Sequence, residues 1–372
     1  MTKPGFRLAV FATLLALFVV LLGAYTRLTH AGLGCPDWPG CYGFISVPTS
    51  EMQLAHAGLH FPDMPVHTAK GWSEMIHRYF AGGLALVILV LAAQAWRGRH
   101  QPGQPLKLPF LLLGVVIAQA LFGMWTVALK LWPQVVTAHL LGGVATLSLL
   151  FLLVLRLSGA FPVQPDLPAR LRRLAALGLL LVMVQIALGG WVSANYAALA
   201  CTDVPLCQGQ WWPDADFANA YHLTQHIGPN YLGGKLDSEA RTAIHLTHRV
   251  GAMLVTVSLL SLAWHLKKAE LKGMAMLLVT ALAVQIALGI SNVVFHLPLL
   301  TAVAHNAGGA GLLLSVVVIN YRVRKPFSLL ERIPVGARLA RDKVSVIYLW
   351  NRGDCIAGKH RSHKVLRHDH PH

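Results

Sequence analysis

Four histidines give this 372-residue chain its clearest chemistry: His77, His139, His248 and His305 each stand near the start of a long apolar stretch. A single histidine in a membrane helix is often only hydrogen-bonded to a neighbour. Four at one depth, in two pairs, point to metal ligation instead. Two imidazoles facing each other across a helical bundle are the usual way to hold a haem iron from both sides. Gly142-Gly143 and Gly308-Gly309 follow His139 and His305 by one turn, where small residues would let a flat macrocycle approach the backbone. Two haem sites are therefore expected. A non-haem metal fits less well, because no carboxylate-rich cluster accompanies the imidazoles.

One acid breaks the symmetry. Glu74 precedes His77 by three residues and shares its helical face, whereas the matching position before His248 holds His245. Glu74 is read either as a first-turn acid that stabilises a helix N-terminus or as a general base beside a cofactor. His245 is itself an alternative ligand to His248. Arg27, Arg78 and Arg249 would pair with haem propionates or anchor to headgroups. Cys35, Cys41, Cys201 and Cys207 form two C-x5-C pairs in connections assigned to the outer face, where a disulfide within each pair is the natural state. Zinc competes weakly, since this spacing is not that of a finger. The pairs are either structural staples or redox-active thiols near a cofactor.

The elements that must position these groups are membrane helices. The hydrophobic fraction is 55% and charged residues are 12%, against about 25% charged in soluble domains. Eight stretches are long enough to span a bilayer: 8–26, 75–96, 108–128, 134–156, 171–193, 243–266, 273–294 and 299–320. Lys and Arg concentrate in alternate connections, at Lys3 and Arg7, at Arg97, Arg99 and Lys107, at Arg170, Arg172 and Arg173, and at Lys267, Lys268 and Lys272. The positive-inside rule then places both termini in the cytoplasm. Half of the net charge of +16 lies in the segment from Tyr321 onward, which suits anionic lipid better than nucleic acid. Cys355 in that tail has no partner and is expected to be reduced.

The chain also repeats. Gly23, Cys35, Asp37, Pro39 and Cys41 recur 166 residues later as Gly189, Cys201, Asp203, Pro205 and Cys207. The same offset carries Gln119, Gly123 and His139 onto Gln285, Gly289 and His305, and His77-Arg78 returns as His248-Arg249 after 171 residues. The expected fold is an all-α membrane protein, with eight transmembrane helices arranged as two tandem four-helix bundles related by an internal repeat. The halves are residues 1–160 and 161–322, followed by a basic tail over 323–372.

The run Thr26-Arg27-Leu28-Thr29-His30-Ala31-Gly32-Leu33-Gly34-Cys35-Pro36-Asp37-Trp38-Pro39, with Glu74-Met75-Ile76-His77-Arg78, His139, His248-Arg249 and His305, resembles the haem A synthase family over roughly 6–322. The resemblance implies oxidation of a ring methyl of haem O to a formyl group, by successive hydroxylations and loss of water, to give haem A for terminal oxidases. It implies that His77 and His139 hold the substrate haem, that His248 and His305 hold a resident haem b, and that Glu74 is the catalytic acid. Cys35–Cys41 and Cys201–Cys207 match loop disulfides present in part of the family. A bacterial inner-membrane location is implied, as are haem O synthase and oxidase-assembly factors as partners. Small-residue helix faces would allow homo-oligomers.

Three other functions compete. A dihaem b-type electron-transfer cytochrome would share the fold and the histidines, and Glu74 distinguishes it. A membrane thiol oxidase would explain the cysteine pairs but leave the histidines idle. A transporter would explain the repeat, yet transporter sites lie near mid-bilayer and these polar groups gather at one end.

Overall fold

A computed structural model describes residues 3–101, 103–159, 167–222 and 226–324. The boundary expected near residue 160 and the tail from 325, with Cys355, lie outside the described residues. The chain up to Arg324 forms one compact unit of ten helices among the described residues. They are α1 (Phe6–Leu28), α2 (Glu51–His60), α3 (Thr68–Arg97), α4 (Lys107–Ala128), α5 (Pro133–Ser158), α6 (Ala169–Ala194), α7 (Phe217–Ala220), α8 (Ser238–Lys268), α9 (Lys272–Val294) and α10 (Leu299–Val323). Eight of them, all but α2 and α7, are long and apolar enough to cross a membrane, with best-window mean hydropathies from 1.5 to 2.5. The protein is an all-helical, multi-pass membrane protein.

The helix starts differ instructively from the apolar stretches. α3 begins at Thr68 and α8 at Ser238, ahead of the expected 75 and 243. A hydropathy window detects what lipid tolerates, whereas the backbone ladder continues through the polar turns that precede it. His77 and His248 therefore sit about three turns into their helices, while His139 and His305 remain within the first two turns. Pro133 opens α5 as its first helical residue and Pro298 caps α10, where a missing N–H costs nothing. The short α2 is started by Ser50, which accepts from Gln53 N in a complete capping box.

Packing closes two rings. α1 and α4 each pack against both α3 and α5, so α3 and α5 stand on a diagonal. α6 and α9 each pack against both α8 and α10, which puts α8 and α10 on a second diagonal. The rings join along α5–α6, α1–α10 and α5–α10. Hydrophobic driving force between helices is weak in lipid, so close contact must supply the stability. Ala9, Ala12 and Ala16 of α1 let Leu147, Leu150 and Leu153 of α5 approach, and Leu259, Leu262 and Leu266 of α8 fill the second ring. These solid cores lie beyond the histidines along α5 and α8. Each ring is thus filled with apolar side chains at one end and carries imidazoles toward the other.

Candidate functional site

The diagonals decide which histidines meet. His77 of α3 and His139 of α5 project across the first ring, and His248 of α8 and His305 of α10 across the second. Each ring lies against a glycine of the adjacent helix. A Cβ built on Gly23 would stand 3.0 Å from His77 Cε1, one on Gly123 3.4 Å from His139 Cε1, and those on Gly189 and Gly289 3.2 Å from the Cε1 atoms of His248 and His305. Those glycines are the repeated Gly23/Gly189 and Gly123/Gly289 of the sequence, and their meaning appears only here. They leave room for an imidazole where a side chain would press on it, at Gly23, Gly189 and Gly289 more than at Gly123. A Gly189→Ala substitution is accordingly expected to displace the His248 ring by a few tenths of an ångström and lower the haem content of the purified protein. Unchanged pigment would show that the wall is not needed.

The residues fit a haem in each ring. The Nδ1 atoms of His77, His139 and His305 are buried without a hydrogen bond of normal geometry, and the Val19, Gln119 and Gln285 backbone carbonyls interact with these rings, an arrangement that orients an imidazole and leaves its other nitrogen for a metal. Bis-imidazole ligation would recruit these rings, with the glycine cradles beside them. Gly142 and Gly308 do not serve as the macrocycle floor expected from the sequence. Their notches receive the Gln119 and Gln285 side-chain amides, which an added Cβ would overlap. Gly143 and Gly309 remain, facing Val20 and Gln285.

Glu74 is 5% exposed and is the one buried acid among the described residues. Its Oε1 pairs with Arg78 Nη2 at 2.6 Å, and its Oε2 accepts from Cys35 N at 3.0 Å. The helix thereby holds the first cysteine loop through a carboxylate. His245 occupies the matching place. In one tautomer its Nδ1 donates to Ala197 O at 3.1 Å, and in the other it accepts from Cys201 N at 3.4 Å. His245 is therefore turned toward the loop, while His248 faces Gly189 and Gln185.

Both disulfides are formed, with Cα separations of 4.8 Å for Cys35–Cys41 and 4.7 Å for Cys201–Cys207. Within each loop an aspartate gathers two backbone donors: Asp37 accepts from Tyr42 N and Gly43 N, and Asp203 from Gln208 N and Gly209 N. The Gly209 N–H, followed by that of Gln208, holds the Asp203 carboxyl below its ordinary range. The arginines are committed to these loops rather than free for propionates. Arg78 donates to Asp37 O at 2.9 Å and to Gly40 O, and Arg249 donates to Leu206 O at 2.7 Å and Asp203 O at 2.9 Å. Carbonyls converge wherever a tight loop turns its backbone inward, and a guanidinium satisfies several at once. Arg27 bridges the two rings instead, donating to Tyr196 OH at 2.6 Å and lying 4.1 Å from that ring's centroid. On Tyr196 the His30 ring is stacked nearly parallel, at 5.4 Å.

Comparison with known proteins places this architecture. The family described as "Cytochrome oxidase assembly protein" (COX15-CtaA) matches residues 6–317. The chain is 48% identical over 307 residues to the "Heme A synthase" of Shewanella oneidensis, covering 82% of this chain and 92% of that protein. It is 31% identical over 345 residues to the "Heme A synthase" of Methylobacterium radiotolerans, covering 85% and 89% of the two chains. A third similarity, 25% over 357 residues, is to "Heme A synthase COX15" of Arabidopsis thaliana, covering 86% and 75%.

Proposed function

This chain belongs to the COX15-CtaA family of haem A synthases, and from that premise we propose that it oxidises one ring methyl of haem O to the formyl group of haem A. His77 and His139 hold the substrate haem in the first ring, and His248 and His305 hold a resident haem b in the second. The observation that carries this division is Glu74: the one buried carboxylate among the described residues stands a single turn before His77, and the second ring has His245 there instead.

The chemistry needs that asymmetry. Turning a methyl into a formyl group with oxygen from water releases four protons and four electrons, so both a proton acceptor and an electron acceptor are required. His248 and His305 would hold a haem b, which when bound would supply one-electron acceptance. Glu74 accepts protons, with Arg78 and the Cys35 N–H fixing its two oxygens. The disulfide loops act as structure here: Arg78 and Arg249 sew them to the helices that carry the histidines. The protein sits in the bacterial inner membrane with both termini cytoplasmic and the cysteine loops outward. It receives haem O from a haem O synthase and works beside oxidase-assembly factors, and its small-residue helix faces allow homo-oligomers.

Extraction of pigment from the purified protein, with chromatographic separation of haems B, O and A, tests this reading. Haem B together with O or A is the expected result. Haem B alone, from cells that make haem O, would favour the dihaem cytochrome, a reading that the matched geometry of the two rings also supports.

A further inference from the structure

Three of the four imidazoles sit beside the same glutamine–glycine arrangement, and the fourth does not. A glutamine stands one turn before each glycine wall: Gln119 before Gly123, Gln185 before Gly189 and Gln285 before Gly289. A second glycine follows the histidine by three residues: Gly142 after His139, Gly251 after His248 and Gly308 after His305. The glutamine side chain occupies the notch that this second glycine leaves, since a Cβ on Gly142, Gly251 or Gly308 would overlap the amide of Gln119, Gln185 or Gln285. From there Gln185 Nε2 lies 3.1 Å from His248 Nδ1 and donates to His248 O at 2.9 Å, and Gln285 Nε2 lies 3.4 Å from His305 Nε2.

At His77 both members of the device are replaced together. Val19 stands one turn before Gly23 where the second ring has Gln185, and Phe80 follows His77 by three residues where the second ring has Gly251. Phe80 packs edge-on against Phe18, with centroids 4.9 Å apart. No glutamine amide can reach His77 from this wall, and a phenylalanine stands where the glycine notch would be. The exchange is paired, as sterics demand: a glutamine needs the glycine, and a valine does not.

We infer that the glutamine–glycine units are positioning devices that hold His139, His248 and His305 fast as haem ligands, and that their replacement by Val19 and Phe80 makes His77 the ligand that yields. The amide fills the notch beside all three histidines; at His248 it also hydrogen-bonds Nδ1, at His305 it reaches Nε2, and at His139 it acts by packing alone. Loss of an outer hydrogen-bond partner typically costs about ten- to hundred-fold in metal affinity. A resident haem needs two fixed ligands. A substrate haem that must enter and leave needs one that lets go. The inference rests on the ligand assignment proposed above.

The test rebuilds the unit around His77 as Val19→Gln with Phe80→Gly, and dismantles the one around His248 as Gln185→Val with Gly251→Phe. Carbon monoxide binds a reduced six-coordinate haem only when an axial ligand yields, so its binding rate and the extracted haem content are measured for each purified protein. The parent is expected to show carbon monoxide binding confined to haem O or A. Rebuilding should slow that binding about ten- to hundred-fold. Dismantling should make haem B reactive and deplete it. Gln185→Leu, which leaves Gly251 in place and adds no bulk, reads the same effect if the double variant does not accumulate. Rates and haem contents indistinguishable from the parent in all three variants would overturn the inference alone. Loss of both haems together on dismantling would mark a folding role and overturn it too. A parent protein without any haem would remove the ligand assignment with it.

Discussion

A Glu74→Gln protein is expected to retain both haems and to lose haem A formation by about 10²–10⁴-fold, the range associated with a positioned acid–base group. The substitution is close to isosteric, and the structure shows what survives it. The glutamine carbonyl still accepts from Cys35 N, now 3.0 Å from Glu74 Oε2. Arg78 loses its carboxylate but keeps Asp37 O at 2.9 Å and the Pro39 and Gly40 carbonyls, so the first cysteine loop stays tied to α3. The imidazoles of His77 and His139 depend on glycine walls contributed by α1 and α4, not on Glu74. What is removed is the negative charge, with its ion pair to Arg78, and the ability to take a proton. The measurement is the ratio of haem A to haem O in extracted pigment, alongside total haem per protein. A normal ratio would end the proton-acceptor role and return Glu74 to the rank of a loop fastener, which its bond to Cys35 equally describes.

Much of this arrangement is legible in the sequence, for identifiable reasons. The spans were readable because lipid demands about twenty apolar residues, and the histidine pairs because polar residues are rare enough in such stretches to stand out. What lay beyond reading depends on contacts between segments far apart in the chain. The repeat marked Gly23 and Gly189 as important, but that they face His77 and His248 requires the helix neighbours to be known. The arginines were ambiguous because their partners are backbone carbonyls of the loops, which carry no sequence signature. Arg27 is the extreme case, since its partner Tyr196 is 169 residues away across the junction of the rings. The first turns of α3 and α8 are polar and escape a hydropathy reading, which places His77 about two turns and His248 about one and a half turns too near their helix starts. The sequence suggests a macrocycle beside Gly142 and Gly308, whereas a glutamine from the neighbouring helix lies in each notch.

Two histidines three residues apart on α8 are expected to give opposite results when each is changed to alanine. His248→Ala should strip haem B from the purified protein while leaving haem O or A in the first ring, because bis-imidazole ligation of the second haem loses one of its two ligands. His245→Ala should leave both haems in place and loosen the second cysteine loop by about 1–3 kcal/mol, the cost of stranding a buried partner. The geometry separates them. His248 lies against the Gly189 wall with Gln185 at its Nδ1, facing the interior of the ring. His245 is 5% exposed and spends its Nδ1 on Ala197 O or Cys201 N, at the base of the Cys201–Cys207 loop. Haem content per protein reads the first effect, and the rate at which a mild thiol reductant opens Cys201–Cys207 reads the second. The first-ring haem is an internal control for folding in both variants. If His245→Ala removed haem B and His248→Ala kept it, the ligand would be His245, and the glutamine–glycine unit around His248 would be holding an imidazole that binds nothing.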